Sequence, residues 1–385
     1  MLALCGLAFL LNGCGADAPP AAEESADVKP YLVYFGTGAR DDQAGIYAAR
    51  FDPATGELDS LGQIEPGGAP GFLEIHPSGD LLFATVRMRP EGDEEPFQGA
   101  AAYTIDRATG KLTFINQVSG QGSGPAHITV DHGGKTVSVA NYGSGSTTTM
   151  PVRADGSLGE AASFIQHEGS SINPERQAGP HAHSVNFSPD DRFLIAADLG
   201  LDQVIIYSHD PATSKIEPHG SAATVPGGGP RHFTFHPNGK SAYVINEMAN
   251  SVTAFSWDAE AGTLEELQTI NTLPEGFDGE SHTAEVLVHP SGKFLYGSNR
   301  GHDSIAVFAV NEADGTLTFV ETVGEGITVP RNFRIGPTGQ YLFVANQRGD
   351  SVKLFSIDQE TGRLTSTGVE IEAPVPQCVR FVAVK

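Results

Sequence analysis

Asp52-Pro-Ala-Thr-Gly-Glu-Leu58 is a short polar turn that opens on an acid and closes on a glycine, a polar residue and a leucine. Variants of this turn return along the 385-residue chain at residues 106–112, 155–158, 210–216, 258–264, 311–317 and 358–364. The closing aliphatic residues lie between 46 and 58 residues apart. A hairpin turn that repeats at this spacing is typical of a β-propeller with one repeat per blade. The sequence therefore predicts seven blades.

A second repeat, in which a strand is followed by a tight turn and another strand, predicts the same fold. In Phe72-Leu-Glu-Ile-His-Pro-Ser-Gly79 the alternating apolar residues have the period of a strand, and Pro-x-Gly has the chemistry of a turn. Five equivalents lie at residues 127–134, 184–191, 232–239, 285–292 and 332–339. We predict second strands over residues 81–86, 136–141, 193–198, 241–246, 294–299 and 341–346.

The seventh repeat is divided between the two ends of the chain. Residues 378–383 resemble its first strand, and residues 31–36 resemble its second. If these N- and C-terminal strands pair, they close the ring and leave no exposed edge of the kind an open array would have. No segment shows sustained helical periodicity. We therefore predict one all-β domain, residues 30–385, folded as a seven-bladed β-propeller.

The N-terminus has the pattern of an export signal. Residues 1–13 are an apolar run too short to span a membrane, and the run ends at Leu11-Asn12-Gly13-Cys14. This end resembles the lipobox of bacterial lipoproteins, in which the chain is cleaved before a cysteine that is then acylated. We predict a signal peptide over 1–13, a lipid on Cys14 and a flexible tether over 14–29. The protein would then lie on the bacterial cell envelope, facing away from the cytosol; without a functional signal it would be cytoplasmic.

The composition is strongly acidic, with 47 acidic against 23 basic residues and a formal charge of −24. This charge argues against nucleic acid as a partner and against electrostatic adhesion to anionic lipid, so Cys14 would be the sole membrane attachment. The chain has three cysteines and no CxxC or HExxH spacing. We predict a monomer with no disulfide framework, metal or cofactor. In so acidic a chain, a local cluster of Arg and His suggests a site for an anion.

Such a cluster occurs where first strands begin and second strands end. In a propeller these positions converge on the central channel, so their side chains should meet at one rim. The candidate ligand-binding residues at these positions are His127, His181, His183, Asp198, Arg231, His232, Glu247, Glu285, Asn299, Arg300 and Arg331. The strand interiors are aliphatic, so we expect the charges to mark a site.

Several motifs at this rim match one known family: Gln177-Ala-Gly-Pro-His-Ala-His183, Gly228-Gly-Pro-Arg-His232, Asn246-Glu247 and Asn299-Arg-Gly-His-Asp303. From residue 30 onward, the chain resembles the seven-bladed lactonase family, which includes bacterial 6-phosphogluconolactonases and fungal carboxy-cis,cis-muconate cyclases. The resemblance implies catalytic roles for His183, Arg231 and Glu247. It also implies a small-molecule lactone as the partner, and the other rim residues are then candidates for substrate binding.

Those roles agree with the chemistry of lactone hydrolysis. A base must activate water, and a cation must stabilise the carbonyl oxygen as it becomes anionic. Histidine is a base near neutral pH, and arginine binds oxyanions well. The sequence leaves open whether His183 or Glu247 is the base, since Glu247 could instead orient Arg231. We interpret the site as one for a sugar-acid lactone, of the 6-phosphogluconolactonase type. The alternatives are a lactonising lyase of the muconate type and a surface-binding propeller without turnover, in which Arg231 and Glu247 form only a structural ion pair.

Overall fold

The computed structural model describes residues 29–88 and 97–385, together with Leu2. In these residues the chain forms β-strands and one 3₁₀ turn, Asp41–Gln43, and no α-helix. No helix that is both long enough and apolar enough to cross a bilayer occurs among them. The predicted signal peptide, Cys14 and nearly all of the tether lie outside the described residues.

Seven four-stranded antiparallel sheets form the blades, and the strand order in each runs from the channel outward. Blade 2 contains β4 (Leu73–Ile75), β5 (Leu81–Met88), β6 (Phe97–Ile105) and β7 (Leu112–Ser119). Blade 3 contains β8 (Pro125–Val130), β9 (Thr136–Asn141), β10 (Ser146–Pro151) and β11 (Ser163–Gln166). Blade 4 contains β12 (Ala182–Phe187), β13 (Phe193–Asp198), β14 (Gln203–Asp210) and β15 (Lys215–Ala223).

The remaining complete repeats follow the same plan. Blade 5 contains β16 (Pro230–Phe235), β17 (Ser241–Asn246), β18 (Ser251–Asp258) and β19 (Thr263–Asn271). Blade 6 contains β20 (His282–Val288), β21 (Phe294–Arg300), β22 (Ser304–Val310) and β23 (Leu317–Val323). Blade 7 contains β24 (Pro330–Ile335), β25 (Tyr341–Asn346), β26 (Ser351–Ile357) and β27 (Leu364–Glu372). The predicted seven-bladed fold is confirmed.

Blade 1 closes the ring as predicted. It contains β28 (Pro376–Ala383), β1 (Tyr31–Thr37), β2 (Gly45–Asp52) and β3 (Glu57–Pro66). Strand β1 pairs with β28 on one side and β2 on the other, with Tyr31 opposite Ala383 and Gly36 opposite Cys378. The C-terminal strand is therefore the innermost strand of a blade that begins at the N-terminus.

The repeated polar turn joins the third and fourth strands of each blade. Its glycine adopts a positive φ in six copies, for example +84° at Gly110, a backbone conformation that favours glycine. The carbonyl oxygen of Gly110 accepts a hydrogen bond of 2.9 Å from the hydroxyl of Tyr34 in the preceding blade. In the fourth copy Ser214 replaces glycine at φ +57°, and Thr149 donates to its carbonyl oxygen at 2.7 Å. The turns therefore also join neighbouring blades.

The first strands carry an irregularity at the rim of the channel. In five of them one residue interrupts the antiparallel register next to the start of the strand: Ala126, His183, Arg231, Arg331 and Gln377. Such a bulge re-aims the extra side chain. As a result Arg231 and the following His232 both line the cavity at the rim, although successive residues in a regular strand point to opposite faces.

Candidate active site

A cavity opens at the end of the central channel where the first strands begin. We call it the rim cavity; its charged and polar side chains are Arg87, His183, Arg231, His232, Arg331 and Gln377. Gly71 and Phe72, directly before β4, and Pro125 and Ala126 of β8 complete the wall. The cavity is thus assembled from residues that lie far apart in sequence, because each blade contributes the same short part of its repeat.

One carboxylate organises three arginines beside the rim cavity. Glu247 Oε2 forms ion pairs with Arg231 Nε and with Arg300 Nη2, both at 2.9 Å. Glu247 Oε1 pairs with Arg176 Nη2, also at 2.9 Å. The Glu247 side chain is buried. The structure therefore brings together Glu247, Arg231 and Arg300 as the sequence predicted, and adds Arg176.

The protonation state of Glu247 follows from these neighbours. Burial raises the pKa of this carboxyl, but the positive charges of Arg300, Arg231 and Arg176 outweigh burial and lower the pKa to about 2. The carboxylate is therefore ionised at neutral pH and a very weak base. Its arrangement suits the orienting role that the sequence left open, and does not suit the role of base.

Arg231 is held rigidly but keeps donors for a ligand. Its side chain is buried; Nε donates to Glu247, and Nη1 donates to the carbonyl oxygen of Ala284 at 2.7 Å. Within residues 29–88 and 97–385, Nη2 has no hydrogen-bond partner. Burial and the charges of Arg300 and Arg331 lower the pKa of Arg231, while Glu247 opposes that shift. A guanidinium fixed on one side and free on the other can bind an oxyanion.

Two further arginines add positive charge to the rim cavity. Arg331 makes no hydrogen bond or ion pair with any residue that the structure describes, and burial lowers its pKa to about 10, so it stays protonated at neutral pH. Arg87 donates from Nε and Nη2 to the carbonyl oxygen of Pro125, at 3.1 and 2.6 Å. We call Arg87, Arg176, Arg231, Arg300 and Arg331 the rim arginines. Three of them pair with one carboxylate, Glu247, and the other two have no carboxylate partner within the described part of the chain, so the site carries an excess of positive charge in a strongly acidic protein.

His183 lies in the wall of the rim cavity, next to the rim arginines. It is buried, and its Nδ1 has no hydrogen-bond partner among the described residues. Its ring meets the ring of Tyr142 edge to face, with centroids 5.3 Å apart. Burial and the nearby charge of Arg231 lower the pKa of His183 well below its usual 6.5. The imidazole is therefore neutral at neutral pH and able to accept a proton.

His232, His127 and Glu285 lie one layer deeper in the channel than His183. His232 Nδ1 is 2.9 Å from Glu285 Oε1, and the other carboxylate oxygen of Glu285 accepts a hydrogen bond from Asn332. The rings of His127 and His232 are 5.3 Å apart. His232 reaches the rim cavity, whereas His127 and Glu285 face the next part of the channel. Among the residues described here, no group of three or more His, Cys, Asp or Glu is arranged to hold a metal.

Two residues that were predicted to bind ligand instead make hydrogen bonds within the fold. Asp198 is fully buried; it accepts hydrogen bonds from the His181 backbone N at 2.7 Å and pairs with His167 Nδ1 at 2.6 Å. Asn299 is fully buried and donates to Ser304 Oγ at 3.2 Å, five residues on. The same bond recurs as Asn141–Ser146, Asn246–Ser251 and Asn346–Ser351. Neither Asp198 nor Asn299 lines the rim cavity, so the polar ends of the second strands are structural here.

His181 lies at the outer edge of the site. Its ring stacks on that of Tyr142 at 4.6 Å, and its Nδ1 is 2.9 Å from the Tyr142 carbonyl oxygen. Sequence reasoning missed Tyr142 and Arg176, which contact each other at 3.4 Å. Arg176 lies in the segment between β11 and β12, which is longer than the corresponding segment of any other repeat. The one available signal was an arginine directly before the Gln177 motif in a chain with few bases.

Known proteins share this fold and much of this sequence. Residues 32–381 match the family model described as "Lactonase, 7-bladed beta-propeller". The 6-phosphogluconolactonase of Bacillus subtilis is 36% identical over 352 residues, which cover 91% of this chain and 98% of that protein. The solved periplasmic gluconolactonase of Pseudomonas aeruginosa is 34% identical with a TM-score of 0.86, covering 92% and 100% of the two chains. The chain belongs to the seven-bladed β-propeller lactonase family.

Proposed function

We propose that this protein hydrolyses a sugar-acid lactone in the rim cavity, as a lactonase of the 6-phosphogluconolactonase type. The observation that carries the proposal is the neutral imidazole of His183 in the wall of the rim cavity, beside a cluster of arginines held by Glu247. This arrangement supplies both requirements of the reaction, a proton acceptor and a cation for the developing oxyanion. The names of the Bacillus subtilis and Formosa agariphila relatives, both 6-phosphogluconolactonase, support it.

The proposed reaction gives His183, Arg231 and Glu247 one role each. His183 accepts a proton from a water molecule as the water oxygen attacks the lactone carbonyl carbon. The free Nη2 of Arg231 stabilises the carbonyl oxygen as it becomes anionic. The ring C–O bond then breaks, and the alkoxide leaving group takes the proton back from His183, giving the hydroxy acid. Glu247 takes no proton; it fixes the planes of Arg231, Arg300 and Arg176 by three charged contacts.

The excess of rim arginines supports an anionic substrate. Arg331 and Arg87 also face the cavity. They neither pair with Glu247 nor are needed to stabilise a single oxyanion, so those two tasks do not explain their presence. Arginine is well suited to phosphate because its guanidinium can donate two parallel hydrogen bonds. We therefore propose that Arg331 binds a phosphate of the substrate. The relative from Pseudomonas aeruginosa is named a gluconolactonase, so an unphosphorylated lactone is the second candidate.

The first test is turnover of a lactone panel by the purified protein, followed through acid release after subtraction of spontaneous hydrolysis. The panel contains 6-phosphoglucono-δ-lactone and glucono-δ-lactone as the discriminating pair, and a carboxymuconolactone for the lyase alternative. The proposal expects the phosphorylated lactone to give the highest kcat/KM. Preference for the unphosphorylated sugar would remove the phosphate role of Arg331. Turnover of the muconolactone alone would favour the lyase, and no turnover would favour a binding propeller.

Replacing His183 with asparagine should reduce lactone turnover by about 100-fold or more, because asparagine cannot accept a proton from water. In the wild type, the pKa of His183 lies well below 6.5, so the imidazole stays unprotonated at pH 6.5. Activity should therefore persist at pH 6.5 and fall only when the pH drops through the lowered pKa of His183. The measurement is kcat/KM against pH. The control is His219→Asn, an exposed histidine far from the rim. Equal rates for the two variants would contradict the role of His183.

We also propose that the protein is a lipoprotein of the cell envelope, anchored through Cys14. The apolar run before Cys14 and the periplasmic location named for the Pseudomonas aeruginosa relative support this placement. When the full chain is expressed in a bacterium, it should fractionate with membranes and incorporate an alkyne-labelled fatty acid, whereas Cys14→Ser should do neither. Cys5→Ser, within the proposed signal, is the matched control and should behave as wild type. Soluble protein that retains Met1 would show that the segment is no signal.

A further inference from the structure

A second cavity lies deeper in the central channel, on the side away from the rim. It has a volume of about 300 Å³, within the range of small-molecule sites. We call it the lower cavity; its polar wall includes Glu74, Asn186, His232, Glu285, Arg334 and Arg380. These residues come from first strands, one or three positions beyond the rim layer, so the repeat itself places them around one space. The proposed lactonase reaction uses none of them.

Two side chains that face the lower cavity, Arg334 and Asn186, have unused donors. The guanidinium of Arg334 makes no hydrogen bond or ion pair with the residues described by the structure. Asn186 Nδ2 is buried and also has no acceptor. Burial and the neighbouring charge of Arg380 lower the pKa of Arg334, so its positive charge is disfavoured by its surroundings. Buried donors and charges without partners cost free energy, and such groups are normally satisfied.

The two carboxylates in the wall of the lower cavity, in contrast, each already accept a hydrogen bond from another residue. Glu74 Oε2 accepts from Arg380 Nε at 3.2 Å. Glu285 is shared between His232 Nδ1, at 2.9 Å, and Asn332. Both carboxylates therefore have cationic or amide donors of their own, and Arg334 is left over. A ligand that satisfies the remaining groups must bring acceptors.

We propose that the lower cavity binds a small oxyanion, a carboxylate or phosphate, through Arg334 with Asn186 as a second donor. A planar guanidinium and a carboxylate or phosphate match in geometry, since two parallel N–H donors meet two oxygens. The two carboxylates in the wall are compatible with hydroxyl groups on the same ligand, because each still has a lone pair for an O–H donor. A hydroxylated acid anion would thus use both kinds of wall residue.

This site is separate from the rim cavity. Phe72 and His232 line both spaces and lie between them, with their rings 5.7 Å apart. The His127 ring packs 4.2 Å from that of Phe72 and completes the partition. An anion in the lower cavity therefore does not compete for the rim arginines. The inference is independent of the proposed function, because it would hold whether or not the rim cavity catalyses a reaction.

The experiment measures inorganic phosphate bound to the purified protein by equilibrium dialysis, and D-gluconate by calorimetry. Arg334→Gln should abolish one binding site or weaken it about tenfold or more, since a charge-assisted pair is lost. Arg334→Lys, which keeps the charge, should retain weaker binding. Arg363→Gln, which alters an exposed arginine directly before the outer strand of blade 7, is the control and should bind as wild type. Melting curves establish that each variant is folded.

Crystals soaked in selenate give the location directly from anomalous scattering. The proposal expects a selenate peak within hydrogen-bond reach of Arg334 in the wild type and its loss in Arg334→Gln, with any peak at the rim unchanged. An empty lower cavity in the soaked wild type, or phosphate binding unaffected by Arg334→Gln, would overturn the proposal. Phosphate binding without gluconate binding, or the reverse, identifies which oxyanion the site takes.

Discussion

Lactone turnover should fall on the order of a hundredfold or more when Arg231 is replaced by lysine, while the protein remains folded. Lysine keeps the positive charge and can still pair with Glu247. It cannot donate to Glu247, to the Ala284 carbonyl oxygen and to a ligand in one plane, as the three nitrogens of Arg231 do. The loss should appear in kcat, because the stabilised charge develops in the transition state.

The measurement is kcat and KM for the preferred lactone, with a melting curve for each variant. Arg363→Lys is the matched control, because it makes the same substitution in an exposed ion pair with Glu321 and should leave both constants unchanged. If Arg231→Lys raised KM alone, Arg231 would bind substrate and transition state equally and would not be the oxyanion group. Wild-type constants in this variant would move the active site away from the rim.

The charge distribution reconciles the proposed anionic substrate with so acidic a protein. The formal charge is −24, yet three arginines pair with one carboxylate, Glu247, and two more line the rim cavity beside them. The acidic turns lie at the outer strands, and solvent and ions screen them over about 10 Å. Arg231, in contrast, is buried in the wall of the rim cavity, where solvent screens its charge less. The local charge, and not the net charge, therefore decides what the cavity attracts.

The fold could be predicted because the motifs that determine it recur in each blade. Each blade repeats the polar turn and the strand–turn–strand unit, so an atypical copy can still be recognised by comparison with the others. The predicted bounds of β9, β13, β17 and β25 agree with the structure. Blade 2 is the exception: β4 has three residues, and the insertion after Met88 includes residues 89–96, which lie outside the described part of the chain.

The site could be predicted only as far as the repeat extends. Position in the repeat placed His183, Arg231, Arg300 and Arg331 at one rim, and the structure brings them together. Position in the repeat could not, however, distinguish a ligand-binding residue from a structural residue of the same type. Asn299 takes part in a strand-to-strand hydrogen bond that four blades share. Arg176 was missed because segments outside the repeat have no copies to compare.

Deleting the last eight residues, 378–385, should abolish cooperative folding. They form most of β28, the innermost strand of blade 1, and Cys378, Val379 and Arg380 are buried there. The deletion would expose the inner edge of β1 along the register from Tyr31 to Gly36 and leave Glu74 without Arg380. Because each blade is stabilised by its neighbours, an open ring loses packing on both sides of the gap. A bare strand edge also favours aggregation.

The test compares thermal unfolding of the deletion with that of the full chain, by circular dichroism and calorimetry. Removing Lys385 alone is the control, because that residue is exposed and makes only a surface ion pair with Asp80, which contributes little to stability. We expect a sharp transition in the control and none in the deletion. An added peptide of residues 376–385 should restore the transition if the missing strand is the cause, since β28 pairs with β1 by backbone hydrogen bonds. A deletion that melts like the control would mean that the ring does not depend on the pairing of its two ends.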